Sequence, residues 1–232
     1  MIRLRQIAFA TCDLVAGEAA LTRALGVQLC HRDPNLIVFG LENALFPVGD
    51  QFFEIVTPVE DGTTAGRLLH KRGGDCGYMV LFQVDGLVPV ERRLAEHGIR
   101  VVFDAAADGI RGLHLHPKDV PGAIVSIDAA REPAEWPWAG PRWRDHVDTS
   151  QVSSIGGMTV SVEDPTAACR VWAHALGISA ADDRIEVDDA TVRFRATEAG
   201  GRSGITHVEV TTPRPDLRGT THDLLGVTVD IV

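Results

Sequence analysis

The sequence predicts an α+β fold made of tandem β-α-β-β-β modules that pair around a concave cleft. The first observation is an internal repeat, in which residues 6–14, QIAFATCDL, align position by position with residues 79–87, MVLFQVDGL. The second is a helical pattern after each copy that ends at a glycine, Gly26 in one and Gly98 in the other. A repeat on this scale indicates one structural unit used twice.

Three apolar, strand-like stretches follow each predicted helix and complete the module. The predicted helices cover 15–25 and 88–97, and the strands after them cover 27–32, 36–46 and 51–58 in the first copy and 99–105, 110–116 and 123–129 in the second. Residues 113–128, LHLHPKDVPGAIVSID, are predicted to form two strands joined by a turn at 117–122. The unit is therefore predicted twice between residues 2 and 130.

A third copy begins near Gly157, with Asp164 as the N-cap and Pro165 as the first residue of a helix that stops at Gly177. Short strands follow it, and a fourth set of strands closes the chain with too few residues between them for a helix. Residues 131–150 carry three tryptophans among prolines, which predicts an ordered linker packed on a sheet. We therefore expect a two-module domain at 1–130, the linker at 131–150 and a degenerate second domain at 151–232.

Composition narrows the function classes. The chain has 232 residues, 45% of them hydrophobic, and a net charge of -10, which suits a globular core but disfavours nucleic acid and anionic membranes as partners. No apolar run approaches the ~18 residues that span a bilayer. The four cysteines form no CxxC motif, so we expect a cytoplasmic protein with reduced thiols.

The segment 73–87, GGDCGYMVLFQVDGL, followed by LHLHPKDVPGAIVSID, resembles the second half of the vicinal-oxygen-chelate superfamily, which includes the glyoxalases. The turn HPKD-x-x-G-x-x-V is most similar to the methylmalonyl-CoA epimerase branch, as is the segment 48–74 in the first module. The resemblance covers residues 2–130 well and 155–232 in outline. It implies a glyoxalase-like fold, a small-molecule ligand and, as in some members, a homodimer.

The resemblance also implies a metal site to test. Metal-using members bind a divalent ion with a His on the first strand and a carboxylate on the last strand of each module. Those positions carry over to Gln6 and Glu54 in the first module and to Met79 and Ser126 in the second. Only one strong donor remains, so the usual site is predicted to be absent. The weak candidates for a relocated divalent ion are Gln6, Glu54 and His116.

The degenerate half offers an incomplete counterpart of this site. His207 and Asp230 lie near its ligand positions, but Gly157 lies opposite them. This set does not predict a metal site either.

Glu54 is the candidate general base, because its apolar neighbours in FFEIV would raise its pKa in a dry cleft. Gln6 would orient Glu54 or the substrate; alternatively, Gln6 only satisfies the carboxylate and no chemistry occurs. Glu42 and Asn43 would lie at the same mouth. Tyr78 is expected to point away from the cleft and to serve packing.

The remaining candidates would contact substrate: Met79, Gln83, Ser126, His114 and His116. His114 and His116 stand two apart on one strand, so they would share a face, either toward the cleft or toward solvent.

Two functions stay open at this point. The first is a lyase, isomerase or epimerase acting on a small oxygenated substrate with Glu54 as base. The second is a metal-free protein that binds a drug or metabolite and confers resistance. A further option is that the second half only covers the sheet of the first.

Overall fold

The computed structural model describes residues 1–201 and 203–232, and within them the strands form two seven-stranded mixed sheets. The first sheet and its helices lie before residue 131, with these bounds: β1 Ile2–Ala10, α1 Leu14–Leu25, β2 Leu41–Val48, β3 Gln51–Pro58, α2 Thr64–Arg72, β4 Cys76–Val84, α3 Val88–Glu96, β5 Val101–Ala107, β6 Ile110–Leu115 and β7 Ile124–Ala130. The strand order is β2-β3-β1-β4-β7-β6-β5. The predicted α+β fold of paired modules is confirmed.

The register of the first sheet reproduces the sequence repeat. The central strands β1 and β4 run antiparallel to each other. On its outer side β1 pairs in parallel with β3, the last strand of the first module, and β4 pairs in parallel with β7, the last strand of the second. Ala8 is paired with Glu54 in the first module, and Leu81 is paired with Ser126 in the second. Ser126 therefore occupies the position equivalent to Glu54, as the sequence alignment predicts.

The first module departs from the prediction after its helix. Residues 27–32 do not form a strand; their pairing is an isolated bridge between His31 and Leu45. Residues Pro34–Phe39 form a 3-10 helix capped by the side chain of Asp33, and Gly40 then adopts a left-handed conformation with φ of 65°. A proline at the start and a left-handed glycine at the end break the apolar run that the sequence suggested was one strand.

The second half repeats the module in reduced form. Its elements are β8 Ser154–Val162, α4 Pro165–Leu176, β9 Ala180–Ala181, β10 Arg184–Glu186, β11 Thr191–Ala196, β12 Gly204–Thr211, β13 Thr221–Leu224 and β14 Val227–Ile231. The side chain of Asp164 accepts a hydrogen bond from the backbone N–H of Ala167, which confirms the predicted N-cap. As predicted, no helix lies between β12 and β13 among the described residues. The closing stretch 224–232, whose apolar pattern predicts one strand, instead turns at Leu225 and Gly226 between β13 and β14.

The helix-bearing faces of the two sheets share one hydrophobic core. Trp172 on α4 packs edge-on against Phe82 of the first sheet and Phe194 of the second. The buried Gln51 side chain joins the halves, because its Nε2 donates to the carbonyl of Ile155 and its Oε1 accepts from the N–H of the same residue. The second half therefore covers one face of the first sheet. The domain boundaries at 130 and 151 remain a prediction.

None of the helices within 1–201 and 203–232 is long and apolar enough to span a membrane.

Candidate functional site

The face of the first sheet opposite α1 and α3 is called the cleft face here, and it carries Gln6, Ala8, Glu54, Leu81 and Ser126. Helix α2 packs on one end of this face, against Ala10 and Val56. The linker 131–150 lies on it, as the tryptophan content predicts. Trp136 is fully buried and Trp143 nearly so. They pack with Ala8, Leu45, Phe52, Met79, Leu81, Ile110 and Ala130 in one hydrophobic cluster. The cleft face is therefore partly covered by the chain's own linker.

Arg5 lies between the linker and the sheet. Its guanidinium is within 6.0 Å of the ring centres of Phe52, Trp136 and Trp143. Burial lowers the pKa of Arg5 to about 10, and Asp50 forms its ion pair at 3.3 Å. This buried cation, stacked on aromatic rings, anchors the linker.

Glu54 is held by two amides on the cleft face. Gln6 donates from Nε2 to one carboxylate oxygen at 2.8 Å, and Asn43 donates from Nδ2 to the other at 2.7 Å. The indole Nε1 of Trp136 donates to Oε1 of Gln6 at 2.7 Å, and Oδ1 of Asn43 accepts from the backbone N–H of Asp33 at 2.8 Å. Both amides are thereby oriented with their N–H groups toward Glu54.

Burial raises the pKa of the Glu54 carboxyl to about 7, while the hydrogen bonds from Asn43 and Gln6 oppose the rise. The side chain is 8% exposed. Desolvation penalises the charged form more than two hydrogen bonds favour it. A carboxyl with such a pKa exchanges protons near neutral pH.

Tyr78 faces this region, contrary to the expectation that it points away from the cleft. A register irregularity in β4 leaves Tyr78 between Gly77 and Met79 without a partner on β1. The bulge lets Tyr78 pack against the same cluster as its neighbour Met79. Burial raises the pKa of Tyr78 to about 12, and the charge of Glu54 contributes to the rise.

A second polar group lies on the cleft face of the second module. Gln83 and Asp128 are register partners, Ser126 lies two residues before Asp128, and all three are fully buried. Trp138 donates to Oδ1 of Asp128 at 2.9 Å, and Gln83 donates to the carbonyl of Pro133 at 2.8 Å. Burial raises the pKa of Asp128 to about 7. The Ser126 hydroxyl lies beside the Asp128 carboxyl and lowers its pKa, opposing the effect of burial, whereas Gln83 Oε1 has no partner within the described part of the chain.

The two histidines do not join Glu54. His114 is paired with Ser126 across β6 and β7, so β1, β4 and β7 separate it from the strand of Glu54. Burial lowers the pKa of His114 to about 4, and its ring contacts Phe103 at 5.3 Å. His116 lies in the turn, where its Nδ1 accepts the backbone N–H of Lys118 at 3.0 Å.

The residues at the metal-ligand positions do not fit a divalent ion. Gln6 uses its oxygen to accept from Trp136 and its nitrogen to donate to Glu54. Met79 offers a thioether and Ser126 a hydroxyl, both poor donors for a borderline ion. His116 is engaged in its turn. No group of three His, Cys, Asp or Glu side chains is arranged to hold a metal ion among residues 1–201 and 203–232.

The second sheet does not assemble a counterpart of this site. His207 is exposed, with its Nδ1 3.2 Å from Oγ1 of Thr206. Asp230 accepts a hydrogen bond from Thr221 at 2.7 Å. Glu209, the register partner of Gly157, pairs with Arg193 at 2.9 Å.

Sequence reasoning proposed Glu54 and Gln6, which the structure brings into contact, but did not single out Trp136 or Asp128. The sequence could have indicated Asp128, because it stands two residues after Ser126 and alternate residues of a strand point to the same face. No local signal placed Trp136 against Gln6, which lies 130 residues away.

The described geometry defines a vicinal-oxygen-chelate fold, and comparison with known proteins identifies its relatives. No family model matches the chain. The ethylmalonyl-CoA/methylmalonyl-CoA epimerase of Cereibacter sphaeroides is 26% identical over 132 residues, covering 54% of this chain and 96% of that protein. Human mitochondrial methylmalonyl-CoA epimerase is 27% identical over 132 residues, covering 55% of this chain and 74% of that protein. The chain thus has the vicinal-oxygen-chelate fold and, over about half of its length, is similar in sequence to methylmalonyl-CoA epimerases.

Solved structures agree on the fold. A methylmalonyl-CoA epimerase in complex with methylmalonyl-CoA and NH4+ is 20% identical with a TM-score of 0.51, covering 57% of this chain and 97% of that one. A hypothetical protein from Staphylococcus aureus is 11% identical with a TM-score of 0.74, covering 100% of this chain and 99% of that one. The second likeness shows that the whole two-sheet arrangement recurs.

Proposed function

We propose that the chain is an epimerase-type enzyme that moves a proton on the carbon next to a carbonyl group, with Glu54 as the base. The observation that carries the proposal is the buried Glu54 carboxyl between Gln6 and Asn43, with its pKa raised to about 7. The relatives' activity supports the reaction class. A CoA thioester of a short-chain acid is the first substrate to test, because the relatives are named for such esters.

In the proposed step Glu54 takes the proton, the C–H electron pair moves into the carbonyl group as an enolate, and a proton returned to the opposite face of the same carbon completes the epimerisation. Each carboxylate oxygen of Glu54 accepts one amide N–H and keeps one further acceptor site. Ionised Glu54 therefore has an acceptor site for the substrate proton while it stays hydrogen-bonded. Burial favours the neutral acid that results, so the base is not held in its charged form. Gln6 acts as the orienting group, itself held by Trp136.

No step is assigned to a metal, since the side chains at the ligand positions do not suit one. Met79, Gln83 and Ser126 remain proposed contacts of the substrate. His114 and His116 are weaker candidates for contact, because neither adjoins Glu54. The homodimer and the cytoplasmic location remain predictions from the sequence.

The test is deuterium uptake from D2O into methylmalonyl-CoA, followed by mass spectrometry, for the wild type, Glu54→Gln and Glu42→Gln. Glu42 was expected at the mouth of the cleft, but it is exposed on β2 and points to the face opposite Asn43, so it serves as the matched control. We expect Glu54→Gln to reduce exchange by about 10²–10⁴-fold with a melting temperature close to that of the wild type, and Glu42→Gln to retain exchange.

Exchange that survives in Glu54→Gln would refute Glu54 as the base. A wild type that binds the thioester without exchanging its proton would favour the metal-free binding protein instead.

A further inference from the structure

The two edges of the first sheet are joined by an aromatic contact. Strands β2 and β5 are its edge strands, with five strands between them. Phe39 is the last residue of the 3-10 helix Pro34–Phe39, just before β2. Its ring centre lies 5.2 Å from that of Phe103 on β5, edge-on at 89°. The sheet is therefore curled far enough for Phe39 and Phe103 to bridge its edges.

This contact lies on the cleft face. Phe103 is the register partner of His114, which is in turn the register partner of Ser126. Directly opposed residues on neighbouring strands point to the same face of a sheet, and the rings of Phe103 and His114 lie 5.3 Å apart. Ser126 is on the cleft face, so Phe103 is on that face as well. The contact between Phe39 and Phe103 therefore closes the open side of the cleft.

The linker and the 3-10 helix both cover the cleft face, but they are held differently. In the linker, Trp136 is 0% and Trp143 is 4% exposed. In the 3-10 helix no residue is buried, and Ile37, Val38 and Phe39 are 57%, 75% and 48% exposed. A segment with few buried apolar contacts opens at a low free-energy cost, whereas a segment anchored by buried aromatic rings does not. The 3-10 helix is therefore the cover that opens more easily.

Both ends of the 3-10 helix are fastened to the first sheet. At its start, the backbone N–H of Asp33 donates to Oδ1 of Asn43 on β2 at 2.8 Å. At its end, Gly40 has a φ of 65°, which glycine adopts without strain, and its carbonyl accepts from the N–H of Val59 at 2.8 Å. The six residues between these two points can therefore move as a unit while the sheet stays intact.

The start of the 3-10 helix is also connected to Glu54. Asn43 accepts from the N–H of Asp33 at 2.8 Å and donates from Nδ2 to the Glu54 carboxylate at 2.7 Å. Burial raises the pKa of Glu54, and the charge of Asp33 contributes to the rise. Two hydrogen bonds therefore separate the first residue of the hinge from the carboxylate, and a movement at Asp33 acts on the amide that orients Glu54.

We propose that residues 34–39 form a lid, which opens the cleft face when Phe39 separates from Phe103 and closes it again over a bound small molecule. When the lid is open, the cleft face behind Phe103, including His114, is accessible from solvent. When the lid is closed, it excludes bulk water from that face. The effect of the lid on catalysis rests on the proposed function, but its opening does not.

The first test is amide hydrogen exchange of the full chain, measured by NMR at the N–H of Gly40, which donates to the carbonyl of Ile37 at 2.9 Å. The variants are Phe39→Ala, Phe103→Ala, the double variant and the control Ile37→Ala, whose exposed side chain lies on the same segment. Phe103→Ala acts from the opposite edge of the sheet, so it reaches Gly40 through the ring of Phe39.

We expect each phenylalanine variant to lower the protection of Gly40 by about three- to tenfold, from the usual strength of an edge-on aromatic pair. The double variant should match the single variants, because all three lose the same contact. Ile37→Ala should keep the protection of the wild type.

The second test measures access to the cleft face. Diethyl pyrocarbonate modifies accessible neutral imidazoles, and peptide mass spectrometry gives the rate at His114 relative to the exposed His207. We expect Phe39→Ala to speed the modification of His114 by the same factor as the loss of protection at Gly40. Ile37→Ala should leave this rate unchanged.

Unchanged protection of Gly40 in Phe103→Ala would overturn the lid, since the two edges would then not be coupled. Additive effects in the double variant, or equal modification of His114 in Phe39→Ala and the wild type, would overturn it as well. Neither test needs turnover of a substrate. A failure of Glu54 as the base would therefore leave these outcomes as they are, and a failure of the lid would leave the test of Glu54→Gln as it is.

Discussion

The indole Nε1 of Trp136 lies 2.7 Å from Oε1 of Gln6, whose Nε2 lies 2.8 Å from the carboxylate of Glu54. Trp136 of the linker is thus connected to Glu54 through the side chain of Gln6. An amide group can rotate to exchange its oxygen and nitrogen, and the indole N–H, which needs an acceptor, favours the same orientation as the Glu54 carboxylate, which needs a donor. Trp136 is therefore a positioning residue for the candidate site.

Replacing Trp136 with Phe should raise the pKa of Glu54 further. The phenyl ring fills most of the space but cannot fix Gln6, so the hydrogen bond from Gln6 that favours the charged form of Glu54 is weakened. We expect an upward change of about one pH unit, measured from the carboxyl carbon signal of Glu54 by NMR and from the pH profile of proton exchange.

Trp138→Phe is the matched control for this change. It also removes an indole N–H of the linker, but that N–H donates to Asp128 and not to Gln6. Glu54 should titrate in Trp138→Phe as in the wild type. An unchanged Glu54 titration in a folded Trp136→Phe protein would show that the indole does not position Gln6.

The buried carboxyls should make the protein less stable as pH rises through the neutral range. Burial raises the pKa of Glu54 from 4.5 and of Asp128 from 3.8, each to about 7. Between the ordinary pKa and the raised pKa of each carboxyl, the folded state therefore binds more protons than the unfolded state. In that pH range the free energy of unfolding falls by up to about 1.4 kcal/mol per pH unit for each group. Urea denaturation between pH 5 and pH 8 measures this slope.

Asp128→Asn tests the contribution of one carboxyl to that slope. The amide oxygen can still accept from Trp138, and its N–H₂ can donate to the partnerless Oε1 of Gln83. We expect a shallower slope and a stability gain over the wild type at pH 8 that disappears toward pH 4. A slope equal to that of the wild type would show that Asp128 does not titrate in this range.

Gly77 tests the packing between the two halves. A Cβ atom added there would lie 2.5 Å from Cβ and 2.9 Å from the carbonyl oxygen of Ile205 on β12, so the sheets would have to separate. Gly77→Ala should destabilise the protein by about 1–3 kcal/mol. Gly86→Ala is the control, because nothing lies within 4 Å of its added Cβ. Calorimetric melting of both variants measures the difference, and equal melting temperatures would contradict a tight contact at Gly77.

Local chemistry explains which elements were predictable. Helix α4 was placed correctly because Asp164 and Pro165 act on the first turn and Gly177 on the last, all within the helix or next to it. The strand predicted at 27–32 was wrong because a strand needs a partner, and this segment has one bridge rather than a ladder. The bulge at Tyr78 escaped prediction for the same reason, since it is a mismatch between β4 and β1 rather than a property of β4.

The sequence by itself determined the modular fold and the equivalence of Ser126 with Glu54, because a repeat aligns equivalent positions without any knowledge of distance. The resemblance to an epimerase branch was also visible in its motifs. Only the tertiary structure decided that the linker lies on the cleft face and orients Gln6, that Asp128 is a second buried carboxyl, and that Phe39 and Phe103 meet across the cleft. Burial and hydrogen bonding depend on contacts between residues far apart in the chain, and they set the protonation of both carboxyls.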